Sequence, residues 1–208
     1  MLRIRLSNSI GALLGALLIA ACSDVGPTSP IAPAGASGSH SNGPVSLPAI
    51  TGAVTNAAGL ELRAIWWDKH HKNVIKVSKT INPSGGTISI PETGLTMTFP
   101  AGAVASPITI TVTADEKYVA YKMEPSGTRF LKDVTVTQSL ESTSIFGRAL
   151  QSPLYAAYIA DDNVKLSGKV PVLEIEPSTT IFSLLSSLLP QSQVWTIRHF
   201  SRYMLASG

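Results

Sequence analysis

The sequence contains little cysteine, little charge and few aromatic side chains. One cysteine in 208 residues excludes an internal disulfide bond, so the role of that single thiol becomes the question. Charged residues make up 14% of the chain, and no stretch combines clustered Lys and Arg with aromatic residues, so we expect no nucleic-acid partner. No Gly-Lys-Ser/Thr follows Gly85-Gly86, which excludes a phosphate loop, and no other cofactor motif is found.

The N-terminus has the pattern of an export signal. Arg3 and Arg5 precede an apolar run over residues 10–21, which is shorter than the roughly 20 residues of a membrane span. We expect this segment to be removed, which leaves 14 of the 16 basic side chains against 13 acidic ones. The rest of the chain is long enough for one domain.

Small residues lead directly into the single cysteine. Ile19-Ala20-Ala21-Cys22 resembles the lipobox of bacterial lipoproteins, in which the leader is cut before the cysteine and the cysteine is acylated. The resemblance implies a signal peptide over residues 1–21 and a lipid anchor at Cys22 that attaches the chain to the bilayer. The alternative is an ordinary secretory signal with a chance cysteine.

The residues after the cysteine indicate where the chain resides. In lipoproteins of Gram-negative bacteria, an Asp directly after the cysteine favours retention in the inner membrane. The resemblance to a lipobox therefore implies that Ser23 weakly favours the outer membrane of the cell envelope, whereas Asp24 weakens that preference. Residues 22–50 are rich in Ser, Pro, Gly and Ala and cannot bury enough surface to offset the entropy of ordering. We expect them to form a flexible tether.

An alternation of apolar residues with Ser or Thr dominates residues 84–130. The apolar positions lie two apart in three sets: Ile88 and Ile90; Leu95, Met97 and Phe99; Ile108, Ile110 and Val112. A period of two places each set on one face of a strand, and Pro and Gly residues between the sets mark turns. We predict an all-β antiparallel sandwich over residues 83–208, preceded by a lead-in of strands and turns over residues 51–82.

The second half of the chain continues this pattern with one exception. Further strands are predicted at residues 133–138, 154–160, 164–166, 170–176 and 194–205. The run 154–160 is continuously apolar, as in a central strand, and a hairpin turn is favoured over a calcium site at Asp161-Asp162-Asn163. The exception is a stripe at i, i+3, i+4, i+7 and i+8 from Ile181 to Leu189, which predicts a short amphipathic helix ended by Pro190.

Several short motifs together resemble the ZU-five domain, a β-sandwich of zonula occludens proteins, ankyrins, netrin receptors and many bacterial surface proteins. The matching pieces are Gly85-Gly86, the Ile-Pro-x-x-Gly turn at 90–94, the corner at 100–103, the Glu-Pro-Ser-Gly-Thr-x-Phe run at 124–130, and His199-Phe200-Ser201. The resemblance covers residues 80–205. It implies a sandwich that serves as an interaction domain.

The His-Phe-Ser triplet is a self-cleavage site in some members of that family. The resemblance implies that Ser201 would attack the carbonyl of Phe200 while His199 acts as general base. On one continuous strand over residues 194–205, His199 and Ser201 face inward and Phe200 faces outward. The alternative to cleavage is structural: His199 and Ser201 hydrogen-bond and fix the last strand against the core. Scission would detach only residues 201–208, which argues against a useful release.

Two other groups suggest sites but favour simpler interpretations. Asp68, His70 and His71 suggest a metal, but adjacent strand residues point to opposite faces, so we expect a polar turn and no metal site. Trp66 and Trp67 are interpreted as packing against the rim of the sandwich rather than as a sugar-binding platform.

The expected function is therefore a lipid-anchored envelope protein whose sandwich is a non-enzymatic interaction or structural module. Its partner would be an envelope protein or a glycan. The alternatives are a self-cleaving module that cuts between Phe200 and Ser201, and a glycan-binding module.

Overall fold

The computed structural model describes residue 57 and residues 59–159, 163–184 and 186–208. These residues form antiparallel strands in two sheets that pack together, and none of them forms a helix, which confirms the predicted β-sandwich. Within this part of the chain there is consequently no helix with the length and hydropathy of a membrane span. The predicted signal peptide over residues 1–21, the lipidation at Cys22 and the tether over residues 22–50 lie outside the described residues.

One sheet contains five of the described strands. In spatial order they are β11 (Ser178–Ser183), β12 (Ser186–His199), β7 (Arg129–Ser139), β4 (Leu95–Phe99) and β3 (Gly86–Ile90). The second sheet contains eight: β10 (Glu174–Ile175), β8 (Leu154–Ile159), β13 (Arg202–Ser207), β6 (Ala120–Glu124), β5 (Ile108–Ala114) and β2 (Lys76–Ile81) in order, with β1 (Glu61–Ala64) paired to β13 and to β9 (Lys169–Pro171).

The core between the sheets follows from the alternation in the sequence. Ile88, Ile90, Leu95 and Met97 are fully buried, while the Thr and Ser residues between them are less buried, because successive side chains of a strand point to opposite faces. The β3–β4 register places Ile88 opposite Met97, so the two apolar sets meet on the same face. This main core is the largest source of apolar burial in the fold.

The sandwich begins before residue 83. Strands β1 and β2 lie in the predicted lead-in over residues 51–82, but both belong to the eight-stranded sheet. β2 pairs along its whole length with β5, from Lys76 opposite Thr113 to Ile81 opposite Ile108. The described part of the lead-in is therefore structural rather than a separate segment.

The eight-stranded sheet buries apolar residues on its outer face as well. A second cluster there includes Leu62, Ala157, Val170 and Met204. Residues of β8 and β13 thus contact apolar side chains on both faces, which explains why residues 154–159 read as a continuous apolar run. β8 lies between β10 and β13, as expected of a strand inside a sheet.

The predicted helix from Ile181 to Leu189 is wrong. This segment forms the β11–β12 hairpin, in which Thr179 pairs with Val194 and Ser183 with Ser186. Irregularities in register near Phe182 accommodate Pro190 within β12. Leu184 and Leu188, two of the apolar residues behind the helix prediction, are instead exposed on the hairpin.

Two strand predictions also need correction. Residues 164–166 do not form a strand, so that prediction is wrong. The predicted turn at Asp161-Asp162-Asn163 involves Asp161 and Asp162, which lie outside the described residues. The predicted strand 170–176 is divided into β9 and β10, because β9 pairs with β1 whereas β10 pairs with β8.

Gly85 lies directly before β3, at a position that needs a permissive backbone. Its φ is +87°, and a Cβ at this position would lie 2.4 Å from the carbonyl oxygen of Phe99. Only glycine combines that dihedral with so close a backbone approach.

Candidate functional site

The chain passes from one sheet to the other at the His-Phe-Ser triplet. β12 ends at His199 in the five-stranded sheet, and β13 begins at Arg202 in the eight-stranded sheet. The prediction of one continuous strand over residues 194–205 is therefore wrong. Phe200 and Ser201 form the crossover between the two sheets.

Phe200 lies at this break, and its side chain enters the core. It is 1% exposed, and its ring contacts those of Phe130 and Phe99 edge to face, with centroids 4.7 and 6.4 Å away. The prediction that Phe200 faces outward is wrong. Ser201 is buried, as predicted, whereas His199 is only partly buried and lines a cleft.

The backbone of the crossover is held by the loop that precedes β7. The amide of Gly127 donates to the carbonyl of Phe200 at 2.9 Å, and the amide of Phe200 donates to the carbonyl of Thr128 at 2.8 Å. Gly127 has a φ of +78°, which glycine adopts without strain. Two motifs that are distant in sequence, Glu124–Phe130 and His199–Ser201, therefore meet in space.

A cleft of about 670 Å³ opens beside this crossover. Its lining comes from the loop before β7, from β7 itself, from the end of β12 and from the region of β10. Charged side chains of both signs line it: Arg129, Asp133, Glu174, Glu176 and Arg198. Arg198 and Asp133 form an ion pair, so part of this charge is already matched.

His199 is fixed in the cleft by three neighbours. Its Nε2 lies 3.2 Å from Oε2 of Glu174, and its Nδ1 lies 3.2 Å from the hydroxyl of Tyr203. The ring of Tyr158 packs edge to face against the imidazole at 5.0 Å. Both ring nitrogens thus have partners other than Ser201, contrary to the predicted hydrogen bond between His199 and Ser201.

Glu176 is the most buried carboxylate of the cleft, with 5% exposure. Burial raises its pKa to about 7, and the nearby charges of Glu174 and Asp133 act in the same direction, while the hydroxyl of Tyr203 opposes the shift. Burial and the charge of Glu176 raise the pKa of Tyr203 above its ordinary value, so this hydroxyl remains a hydrogen-bond donor.

The two acidic residues near His199, Glu174 and Glu176, were not predicted as site residues from the sequence. Glu174 and Glu176 lie two apart, which places both carboxylates on the same side of an extended segment. That spacing is a usable signal. The third member, His199, comes from the other sheet, and nothing in the local sequence indicates that the two segments meet.

The tryptophan pair is divided between core and surface. Trp67 is 1% exposed, donates from Nε1 to the carbonyl of Asp115 at 2.9 Å, and packs against Tyr121, so the packing interpretation is confirmed for this residue. Trp66 is half-exposed beside a smaller pocket of about 210 Å³ that Arg148 and Gln151 also line.

The adjacent histidines lie in different surroundings. His70 is exposed, whereas the ring of His71 packs against Trp67 with a centroid distance of 5.0 Å. The segment from Asp68 to Asn73 contains bends, consistent with the predicted polar turn.

No protein-family model matches this chain, and no curated protein sequence matches it.

Proposed function

We propose that this chain is a lipid-anchored protein of the bacterial cell envelope and that its sandwich is a non-enzymatic binding module of the ZU-five type. The lipobox-like residues before Cys22 support the anchor, and residues 22–50 have the composition of a tether. Acylated Cys22 attaches the chain to the bilayer, and Ser23 favours the outer membrane. The sandwich then binds an envelope protein or glycan.

The cleft at the crossover is the observation that carries this proposal. Its volume of about 670 Å³ is in the range of roughly 300–1,000 Å³ that ligand sites occupy. Arg129, Arg198 and Glu174 provide charges of both signs at its wall. Such a lining suits a polar segment of a partner rather than an apolar ligand.

The arrangement of the triplet favours binding over cleavage. A general base must lie within hydrogen-bonding reach of the proton that it removes. The imidazole of His199 is instead held by Glu174 and Tyr203, and Ser201 is 6% exposed, which restricts the entry of the water that would hydrolyse an ester. The contacts of His199 with Glu174 and Tyr203 therefore favour a cleft of fixed shape.

Site-specific cross-linking in cells tests the proposal. The full chain would carry a photoreactive benzophenone side chain at position 198, in the cleft, or at position 87, an exposed site on β3 three strands away in the same sheet. We expect a discrete adduct from position 198, none from position 87, and a smaller yield from position 198 when Arg129→Glu changes the charge of the wall. Equal yields at the two positions would contradict a binding role for the cleft.

Self-cleavage is the second candidate, and one contact favours it. The amide of Gly127 already donates to the carbonyl oxygen of Phe200, where negative charge would develop if Ser201 attacked. Attack of Oγ would convert the peptide bond into an ester and free the Ser201 amine, and water would then leave a carboxylate on Phe200. Release of a peptide that begins at Ser201 from purified protein, abolished by Ser201→Ala, would establish this function.

A further inference from the structure

Three potential metal ligands converge in the cleft. Each of Glu174, Glu176 and His199 offers one ligand atom, and these atoms all lie within 4.8 Å of one another. Nε2 of His199 lies 3.2 Å from Oε2 of Glu174. Glu174 belongs to the eight-stranded sheet and His199 to the five-stranded sheet, so the fold itself brings the group together.

The carboxylate of Glu176 provides an independent indication of a ligand. The residue is 5% exposed and lines the cleft, and no donor among the described residues hydrogen-bonds to its Oε1. A buried acceptor without a partner destabilises the folded state. A cation in the cleft would give this oxygen the partner that the protein does not supply.

The two ring nitrogens of His199 face different neighbours. The hydroxyl of Tyr203 donates to the carbonyl oxygen of His199 at 3.0 Å, and the hydroxyl oxygen lies 3.2 Å from Nδ1 of the same histidine. Nε2 faces the carboxylate of Glu174, with 3.2 Å between Nε2 and Oε2. Nε2 is therefore the ring nitrogen placed to bind an ion together with the carboxylates.

We propose that Glu174, Glu176 and His199 bind a divalent transition-metal ion, and that Zn²⁺ fits this donor set best. Zn²⁺ accepts imidazole nitrogen and carboxylate oxygen at about 2.0–2.2 Å, usually in a tetrahedron. Mg²⁺ and Ca²⁺ prefer oxygen ligands alone, so the imidazole disfavours them. Three protein ligands leave a fourth position open toward the cleft.

Two features complete this assignment. The two carboxylates together match the charge of one divalent ion, which also removes the repulsion between them. Tyr203 holds His199 through Nδ1, as outer partners of metal-bound histidines commonly do, and therefore acts as a positioning residue. Metal binding at this site and self-cleavage, the second candidate function, exclude each other, because Nε2 of His199 cannot both hold a metal ion and accept the proton of Ser201.

The inference rests on the proposed role of the cleft as a binding site, but it needs neither the anchor nor the partner. If the protein does not bind metal but still gives a normal cross-link at position 198, the metal site is refuted and the proposed function stands. If the protein binds metal but gives no cross-link, the metal site stands and the proposed partner site is refuted.

Titration of the full chain with Zn²⁺ alone tests the inference. The detergent-solubilised protein, freed of metal by a chelator that is then removed, would be titrated by calorimetry. We expect one equivalent to bind. Loss of a residue that only positions a metal ligand typically weakens metal binding by roughly 10- to 100-fold. We expect Glu176→Gln and His199→Gln, which remove ligands, to weaken Zn²⁺ binding by more than this. Tyr203→Phe, which removes a positioning residue, should weaken it by roughly tenfold. Co²⁺ in place of Zn²⁺ should give a visible spectrum that the two ligand variants lose.

Matched controls separate this site from other ligands on the chain. Glu141→Gln and His70→Ala change an exposed carboxylate and an exposed imidazole outside the cleft and should leave Zn²⁺ affinity unchanged. Glu176→Gln retains the shape of the side chain, so loss of binding there does not require loss of the fold. Absence of saturable binding to the unaltered chain, or equal affinity in the ligand variants, would overturn the proposal.

Discussion

The backbone amide of Gly127 donates a 2.9 Å hydrogen bond to the carbonyl oxygen of Phe200. The reverse contact, from the amide of Phe200 to the carbonyl of Thr128, measures 2.8 Å. This reciprocal pair fixes the crossover against the loop before β7. The position of His199 in the cleft therefore depends on backbone contacts as well as on its own side chain.

Phe200 should be the principal anchor of this crossover. Phe200→Ala removes a fully buried ring that contacts Phe99 and Phe130, and we expect it to lower the free energy of unfolding by roughly 3–5 kcal/mol. Urea denaturation followed by circular dichroism measures this loss. Phe146→Ala is the control, because Phe146 is 41% exposed and should contribute much less. Similar losses in the two variants would show that the ring of Phe200 is not anchored as described.

The two adjacent tryptophans should respond differently to truncation. Trp67→Ala removes a buried ring and its hydrogen bond to Asp115, so we expect a loss of roughly 3–5 kcal/mol in the free energy of unfolding. Trp66→Ala should cost much less, because half of that side chain is exposed. Chemical denaturation of the two single variants provides the comparison. A larger loss for Trp66 than for Trp67 would reverse the assignment of core and surface.

An alternation of apolar and polar residues predicts strands correctly where one face of the sheet is buried. The alternation at Ile88 and Ile90 specifies both the strand and its inward face, since a shift of one residue would expose both side chains. The β11–β12 hairpin lacks that constraint. Its leucines match a helical period, but pairing of β12 with β7 decides the structure, and Leu184 and Leu188 remain exposed.

The candidate site was only partly predictable for a related reason. His199 and Ser201 were identified from a local motif, and the inward position of Ser201 was correct. The turn of Phe200 into the core depends on Phe130, whose position cannot be known before the sheets are assembled. The approach of Glu174 to His199 likewise joins two sheets, which local sequence patterns do not specify.

Burial of Glu176 should make the stability of the metal-free protein depend on pH. Its pKa is about 7 in the folded chain against an ordinary value of 4.5, so the folded state binds this proton more tightly than the unfolded state. The resulting stabilisation is complete below pH 4.5 and is lost as the pH rises through 7. At about 1.4 kcal/mol per pH unit, the loss amounts to roughly 3 kcal/mol.

Glu176→Gln isolates this effect, because it imitates the protonated form at every pH. With chelator present, we expect the variant to match the unaltered chain under acidic conditions and to exceed its free energy of unfolding above pH 7. Urea denaturation across the pH series measures the difference. Glu141→Gln, at an exposed position, should give a difference that does not change with pH. A constant difference for Glu176→Gln would contradict the shifted pKa.

The intact mass of protein extracted from membranes tests the central claim, that the chain is acylated and carries a sandwich that does not cut itself. We expect one species that begins at Cys22, carries the added mass of acyl chains, and retains the bond between Phe200 and Ser201. A mass without lipid, or the appearance of a fragment that ends at Phe200, would contradict it.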